Sequence, residues 1–213
     1  FEAITYTPLC FALKSNASQI LQHMIFSFPE LDPNLDSNSE TPLMIAIQSK
    51  RPEIVQILLN IENIDVNKES KVGYAGKTLP IIQAITNSKG NDNNDIVFML
   101  LENKGIDINK QGTCFATSTT ALLEAVKGNQ YAIVKKILEL YGPRLEGTDD
   151  RPVDKVIDLE FSYMDMNQPK TLYQIAPNQQ IKELLVEYGA KPIECQSTGT
   201  LFGGGLSFWS SNN

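Results

Sequence analysis

Thr41-Pro42-Leu43-Met44-Ile45-Ala46-Ile47 leads into Glu53-Ile54-Val55-Gln56-Ile57-Leu58-Leu59 and then Ile64-Asp65-Val66-Asn67. A threonine hydroxyl can cap a helix start, and proline is tolerated in the first turn because its missing N–H would lack a partner there. Leu43, Ile45, Ala46 and Ile47 then predict a short apolar helix in which alanine allows close approach. Ile54, Val55, Ile57, Leu58 and Leu59 predict a second apolar stripe at a spacing of three to four. The Asp-x-Asn ending favours a turn, through side-chain bonds to the backbone. Helices of ~8–10 residues are not stable alone in water. They must be buried against neighbours, so the pattern should recur along the chain.

It does recur. Upstream stand Thr7-Pro8-Leu9-Cys10-Phe11-Ala12, Gln19-Ile20-Leu21 and Asp32-Pro33-Asn34. Downstream stand Leu79-Pro80-Ile81-Ile82-Gln83-Ala84, Asp95-Ile96-Val97-Phe98-Met99-Leu100-Leu101 and Asp107-Ile108-Asn109. A fourth copy reads Thr120-Ala121-Leu122-Leu123-Glu124-Ala125, then Ala132-Ile133-Val134-Lys135-Lys136-Ile137-Leu138. A fifth keeps only a second-helix ending, Lys182-Glu183-Leu184-Leu185-Val186-Glu187-Tyr188-Gly189-Ala190. The steps from Pro8 to Pro42, Pro80 and Ala121 lengthen along the chain, and insertions at 72–76 and 88–94 account for the excess; the fifth unit carries a longer one at about 148–170.

The combination T-P-L-x-x-A, E-I-V-x-x-L-L and D-V-N resembles the ankyrin repeat, whose unit is about 33 residues. The tetratricopeptide repeat has a similar period, but its Trp, Gly and Tyr anchors are missing. The resemblance implies an all-α solenoid of about five helix pairs with degenerate end units and a C-terminal extension. We place the units at 3–36, 37–70, 71–112, 113–147 and 148–193 (the last degenerate), with the extension at 194–213.

Composition narrows the function. Hydrophobic residues make up 42% and charged residues 20%, which suits a water-exposed globular fold, and no apolar run is long enough for a membrane span. The net charge of −7 and the scattered lysines disfavour nucleic acid, which asks for a basic stripe. Cys10, Cys114 and Cys195 are odd in number and far apart, which favours a reducing compartment over a disulfide framework. We therefore expect an intracellular, cytoplasmic, monomeric protein without membrane insertion. The chain opens on Phe1 with no initiator Met and no signal-peptide pattern, so a piece of a longer protein is expected.

Catalytic chemistry finds little support. His23 is the single histidine and has no ligand-type neighbour in sequence, against the needs of a triad or a zinc site. The acidic stretch Asp149, Asp150, Asp154, Asp158, Glu160, Asp165 and the segment Asn91 to Asp95 both lack calcium-loop spacing. Gly203-Gly204-Gly205 is not followed by Lys-Ser or Lys-Thr, so it is no phosphate loop. We expect no cofactor, no metal and no catalytic residues in this stretch. A catalytic or ligand role for the acidic stretch is the least favoured reading.

Both ends depart from the pattern. Phe26, Phe28 and Pro29 replace the polar run after the second helix of the first unit, and a further unit before Phe1 would cover such a face. Val153, Val156, Ile157 and Leu159 predict a helix in the fifth unit. The Gly/Ser tail carries Leu201, Phe202, Leu206, Phe208 and Trp209, which would cover the apolar face of the last unit.

The resemblance also implies how the protein works: by holding another protein against its hairpin tips and the concave face of its first helices. Carried onto this sequence, those positions are Tyr6, Lys14 and Ser15; Asn38, Glu40, Gln48 and Ser49; Tyr74, Thr78, Thr86 and Asn87; and Phe115, Thr117, Thr119 and Lys127. An alternative is the substrate-recruiting repeat region of a larger enzyme, such as a bacterial effector acting in host cytoplasm. The family further implies asparagine hydroxylation in a Leu, five residues, Asp-Val-Asn context. Asn67 fits with Leu59, and Asn109 nearly fits with Leu101.

Overall fold

The computed structural model describes residues 7–15, 17–71, 76–89, 94–114, 117–143, 156–159, 162–165 and 168–192. Five helix pairs follow one another: α1 (Pro8–Lys14) with α2 (Ser18–Ser27), α3 (Pro42–Gln48) with α4 (Pro52–Leu59), α5 (Pro80–Ser88) with α6 (Asp95–Glu102), α7 (Ala121–Lys127) with α8 (Tyr131–Tyr141), and α9 (Leu172–Ile175) with α10 (Gln179–Glu187). Three antiparallel hairpins join later pairs: β1 (Ser70–Lys71) with β2 (Lys77–Thr78), β3 (Gly112–Cys114) with β4 (Thr117–Thr119), and β5 (Ser162–Asp165) with β6 (Gln168–Thr171). A single bridge, Ser37 to Glu40, closes the first turn.

Each pair packs on the next, so the core is one continuous seam. First helices stack in the row α1, α3, α5, α7, α9, and second helices approach closely along α4, α6, α8, α10. Leu43, Ala46, Ile47, Val55 and Leu58 are buried in the second unit, as are Leu122, Ala125, Val126, Ile133 and Leu138 in the fourth. The small alanines let first helices approach, and the branched residues fill the seam.

Polar side chains set the register between units. Thr7, Thr41 and Thr120 accept from the backbone N–H three residues on, at 3.2–3.3 Å. The backbone N–H of Thr7 in turn donates to Ser37 Oγ of the next turn (2.6 Å), and that of Thr41 to Ser70 Oγ (2.8 Å). In the third unit Leu79 replaces the capping threonine, and Gly112 stands where the other units have serine. The two changes belong together: a Cβ at Gly112 would lie 2.8 Å from Ile82 Cδ1 and 3.0 Å from Leu79 Cγ. Leucine occupies the room the serine would need.

A second ladder runs along the turns. Asn34 Nδ2 donates to Asn63 O (2.7 Å), and Asn34 Oδ1 accepts from the Asp65 N–H (2.7 Å). Asn67 repeats this with Gly105 O (2.7 Å) and the Asp107 N–H (3.0 Å). Asn109 repeats it with Val156 O (2.7 Å) and the Asp158 N–H (3.0 Å). Each asparagine amide thus matches one acceptor and one donor of the following turn.

This ladder corrects the helix expected around Val153 to Leu159. Residues 156–159 are not helical; they form the turn that meets Asn109, with Ile157 N–H donating to Tyr141 O at 2.8 Å. Residues 151–155 lie outside the described ones. The fifth unit also has a first helix that the sequence reading missed. Thr171-Leu172-Tyr173-Gln174-Ile175-Ala176 is a worn copy of the threonine-led start, and Thr171 and Gln174 form a reciprocal capping box.

The first unit exposes apolar groups that later units bury. Phe11 and Ile20 are well exposed, whereas Ile45 and Ile54, at the same positions of the second unit, are buried against their predecessor. No described residue covers this outer face. The tail from 194 on, Cys195, and Asp149, Asp150, Asp154 and Glu160 lie outside the described residues, as does any cap they form.

Tyr141 closes the seam between the third and fourth units, its hydroxyl donating to Leu101 O. Burial raises the phenol pKa above its usual value, and the negative charge of Glu102 adds to the rise. The ionised form is therefore disfavoured in the folded chain. Its contribution to stability is intact below about pH 10 and is lost as pH climbs through the raised folded value. Denaturation of the parent and Tyr141→Phe at pH 9 and 11 should show a steeper alkaline loss for the parent. Equal losses would refute the assignment.

Candidate functional site

Because the first helices run parallel in one row, homologous positions line up across the units. The last residues of α1, α3 and α7 are Lys14, Gln48 and Lys127, and Thr86 holds the same place in α5, six residues after its proline. One residue further stand Ser15, Ser49 and Asn87. The row is polar because these positions follow the buried apolar face by a single step around the helix.

Its members are tied to one another. Lys14 Nζ lies 2.6 Å from Glu40 Oε2, an ion pair between the first and second units. Asn87 Nδ2 donates to Ile47 O (3.1 Å), and Gln83 Nε2 donates to Asn87 Oδ1 (2.7 Å). Ser49 and Thr86 return their hydroxyls to the carbonyls of Ile45 and Ile82 (2.7 and 2.9 Å), a local bond that leaves few rotamers. Gln48 differs: its Nε2 is buried without a hydrogen-bond partner. A buried amide donor left unmade costs about 1–3 kcal/mol.

The hairpin positions divide. Asn38 is exposed at the first turn, where Asn38 and Ser39 take left-handed φ values of 53° and 63°. Thr117 is exposed at the start of β4. Thr78 and Thr119, in contrast, are buried, because strand alternation turns them inward after the exposed Lys77 and Ser118. Their side chains do not reach the surface. Tyr6, Tyr74 and Phe115 lie outside the described residues.

Two connected groups escaped the sequence reading. Glu124 is only 3% exposed, its Oε1 lies 2.5 Å from Lys89 Nζ, and its Oε2 accepts from the Thr119 hydroxyl at 3.3 Å. The available signal was a charge at a place where the second unit has apolar Ile45. Gln130 and Arg51 also bind back across units: Gln130 Nε2 donates to Ile85 O (3.0 Å) and Arg51 to Leu13 O (2.6 Å). Both carbonyls lie at the C-terminal ends of α5 and α1, where intrahelical backbone donors run out, and the Ser88 hydroxyl shares Ile85 O at 2.9 Å.

His23 is exposed, with Nε2 3.5 Å from Ser27 Oγ. Among the described residues no cluster of His, Cys, Asp and Glu could hold a metal ion. No described helix is long and apolar enough to cross a membrane.

Residues 3–70 match the family model "Ankyrin repeats (3 copies)". Alpha-latroinsectotoxin-Lt1a of Latrodectus tredecimguttatus is 29% identical over 106 residues, which is 50% of this chain and 7% of that protein. The matched stretch is thus a small part of the relative's length. The crystal structure of EF0377, described as an ankyrin repeat protein, superposes with a TM-score of 0.61 at 21% identity, over 88% of this chain and 84% of that one. That likeness is one of fold. The family match covers the first two units, and the stacked helix pairs and hairpins share the fold of an ankyrin repeat protein along most of the chain.

Proposed function

We propose that the chain binds a partner protein across the row Lys14, Gln48, Thr86 and Lys127, with Ser15, Ser49, Asn87 and the tips at Asn38 and Thr117 at the rim. Ankyrin repeats are in general protein–protein interaction modules. The observation that carries this reading is Gln48, whose buried Nε2 lacks an acceptor in the middle of the row. Gln48 as a residue is partly exposed, so a turn of its amide outward would let a partner carbonyl or carboxylate remove that cost. Two cross-unit contacts, and one bond within α5, hold the neighbouring side chains, so little entropy is lost on binding.

The test is affinity capture with the chain as bait. Gln48→Glu together with Lys127→Glu should lower partner recovery at least tenfold, while Lys135→Glu on the second-helix side leaves it unchanged. Equal recovery by all three baits would sink the proposal. The substrate-recruiting alternative uses the same surface and differs only in what lies outside this sequence. Hydroxylation is proposed at Asn67 and Asn109. Both side chains are already bonded across units, so a modifying enzyme would meet them only when the turns open.

A further inference from the structure

We propose a second docking site, on the opposite side from the concave row: the cavity between α2 and α4, which takes a tyrosine side chain carried by a partner protein. It goes beyond the concave-face reading and does not depend on it. The cavity measures about 420 Å³ and is lined by Leu9, Ile25, Phe28, Pro29, Ile57 and Ile61 among others. A volume near 150 Å³ already accommodates benzene, so one ring and its approach fit easily. The cavity lies where α2 packs less closely on α4 than the later second helices pack on one another. Along α2 only Leu21 is fully buried.

The occupant is argued from a seam the molecule has already filled. Leu21, Val55, Val97 and Val134 are homologous and all buried. Counting from them, Leu101 of the third unit corresponds to Ile25 of the first, and Tyr141 of the fourth corresponds to Glu62 of the second. In the seam between units three and four, the Tyr141 ring lies beside Leu101 and its hydroxyl donates to Leu101 O. In the seam between units one and two, Ile25 and Glu62 both line the cavity; Phe28 forms part of its wall, but Glu62 brings no ring to the place Tyr141 fills.

The acceptor chemistry repeats as well. Leu101 O is left to Tyr141 because the Gly105 N–H, four residues on, donates to Asn103 Oδ1 at 2.9 Å. The residue four after Ile25 is Pro29, which has no N–H, and no other described group donates to Ile25 O. The cavity thus continues an established interface, with apolar walls for a ring and an open carbonyl for a phenol.

The test uses the whole 213-residue chain and p-cresol, the tyrosine side chain cut at Cβ, followed by methyl NMR. Saturable shifts are expected at Leu9, Ile25, Ile57 and Ile61, with millimolar affinity and about fivefold preference over toluene, the worth of one hydrogen bond. N-acetyl-Gly-Tyr-Gly-amide should shift the same methyls. Glu62→Tyr changes an exposed turn and supplies the ring within the chain. It should raise the melting temperature by a few degrees and abolish p-cresol binding. Absence of saturable shifts, equal affinity for toluene, or undiminished p-cresol binding by Glu62→Tyr would each overturn the proposal. Binding of p-cresol without the peptide would overturn its protein source and leave a site for free phenols.

Discussion

Replacing Lys89 with methionine is expected to destabilise the array by about 2–3 kcal/mol. The lysine is itself about one third exposed, so its loss looks mild. Its partner is not: the Glu124 carboxylate is buried and keeps only the Thr119 hydroxyl at 3.3 Å. Breaking a fully buried pair by removing one member costs about 3–5 kcal/mol, and partial solvent access at Lys89 reduces the figure. The reverse design sharpens the test. The second unit carries apolar Ile45 at the place of Glu124. The double variant Lys89→Met, Glu124→Leu should therefore recover most of the stability, as apolar replacement of buried ion pairs often does. Urea denaturation of the parent, Lys89→Met and the double variant decides it. A single variant as stable as the parent would mean that the carboxylate is already solvated.

Asn67→Ala is expected to cost about 2 kcal/mol, from two cross-unit hydrogen bonds at about 1 kcal/mol each. It leaves Gly105 O and the Asp107 N–H without the amide that served both. Asn67→Asp keeps an acceptor for the Asp107 N–H but loses the donor to Gly105 O, so about half the loss is expected. The specific readout is hydrogen exchange: the Asp107 amide should exchange faster in Asn67→Ala and near the parent rate in Asn67→Asp. Because repeat arrays are held by nearest-neighbour terms, the change should weaken coupling between units two and three more than within either. Unchanged exchange at Asp107 would refute the ladder.

The reading of Thr41 to Asn67 was enough to find the fold, and the reason is local. A hydroxyl before a helix, a proline in its first turn and a branched stripe at helical spacing each act within one unit. The structure shows them as Thr41, Pro42 and the buried Ile54, Val55 and Leu58. Where the local signal was worn, reading failed. Thr171 begins α9 without a proline behind it. Val156, Ile157 and Leu159 suggested a helix because apolar spacing alone cannot tell a buried turn from a short helix. Asn109, 47 and 49 residues upstream of its partners in that turn, settles the conformation.

The site was legible in part for the same reason. Positions at the ends of first helices follow from the repeat register, so Lys14, Gln48, Thr86 and Lys127 could be placed from sequence. Inward-facing Thr78 and Thr119 could not be told from their exposed strand neighbours, since a strand two or three residues long carries too little pattern to fix its phase.

By itself, the sequence determined the helix pairs, their order and the polar row along the first helices, because those depend on contacts within a few residues. Tertiary structure alone decided which charge is buried (Glu124), which amide lacks a partner (Gln48) and which seam is left open (between α2 and α4). Each of these depends on groups some 30 to 50 residues apart, brought together only when one unit stacks on the next.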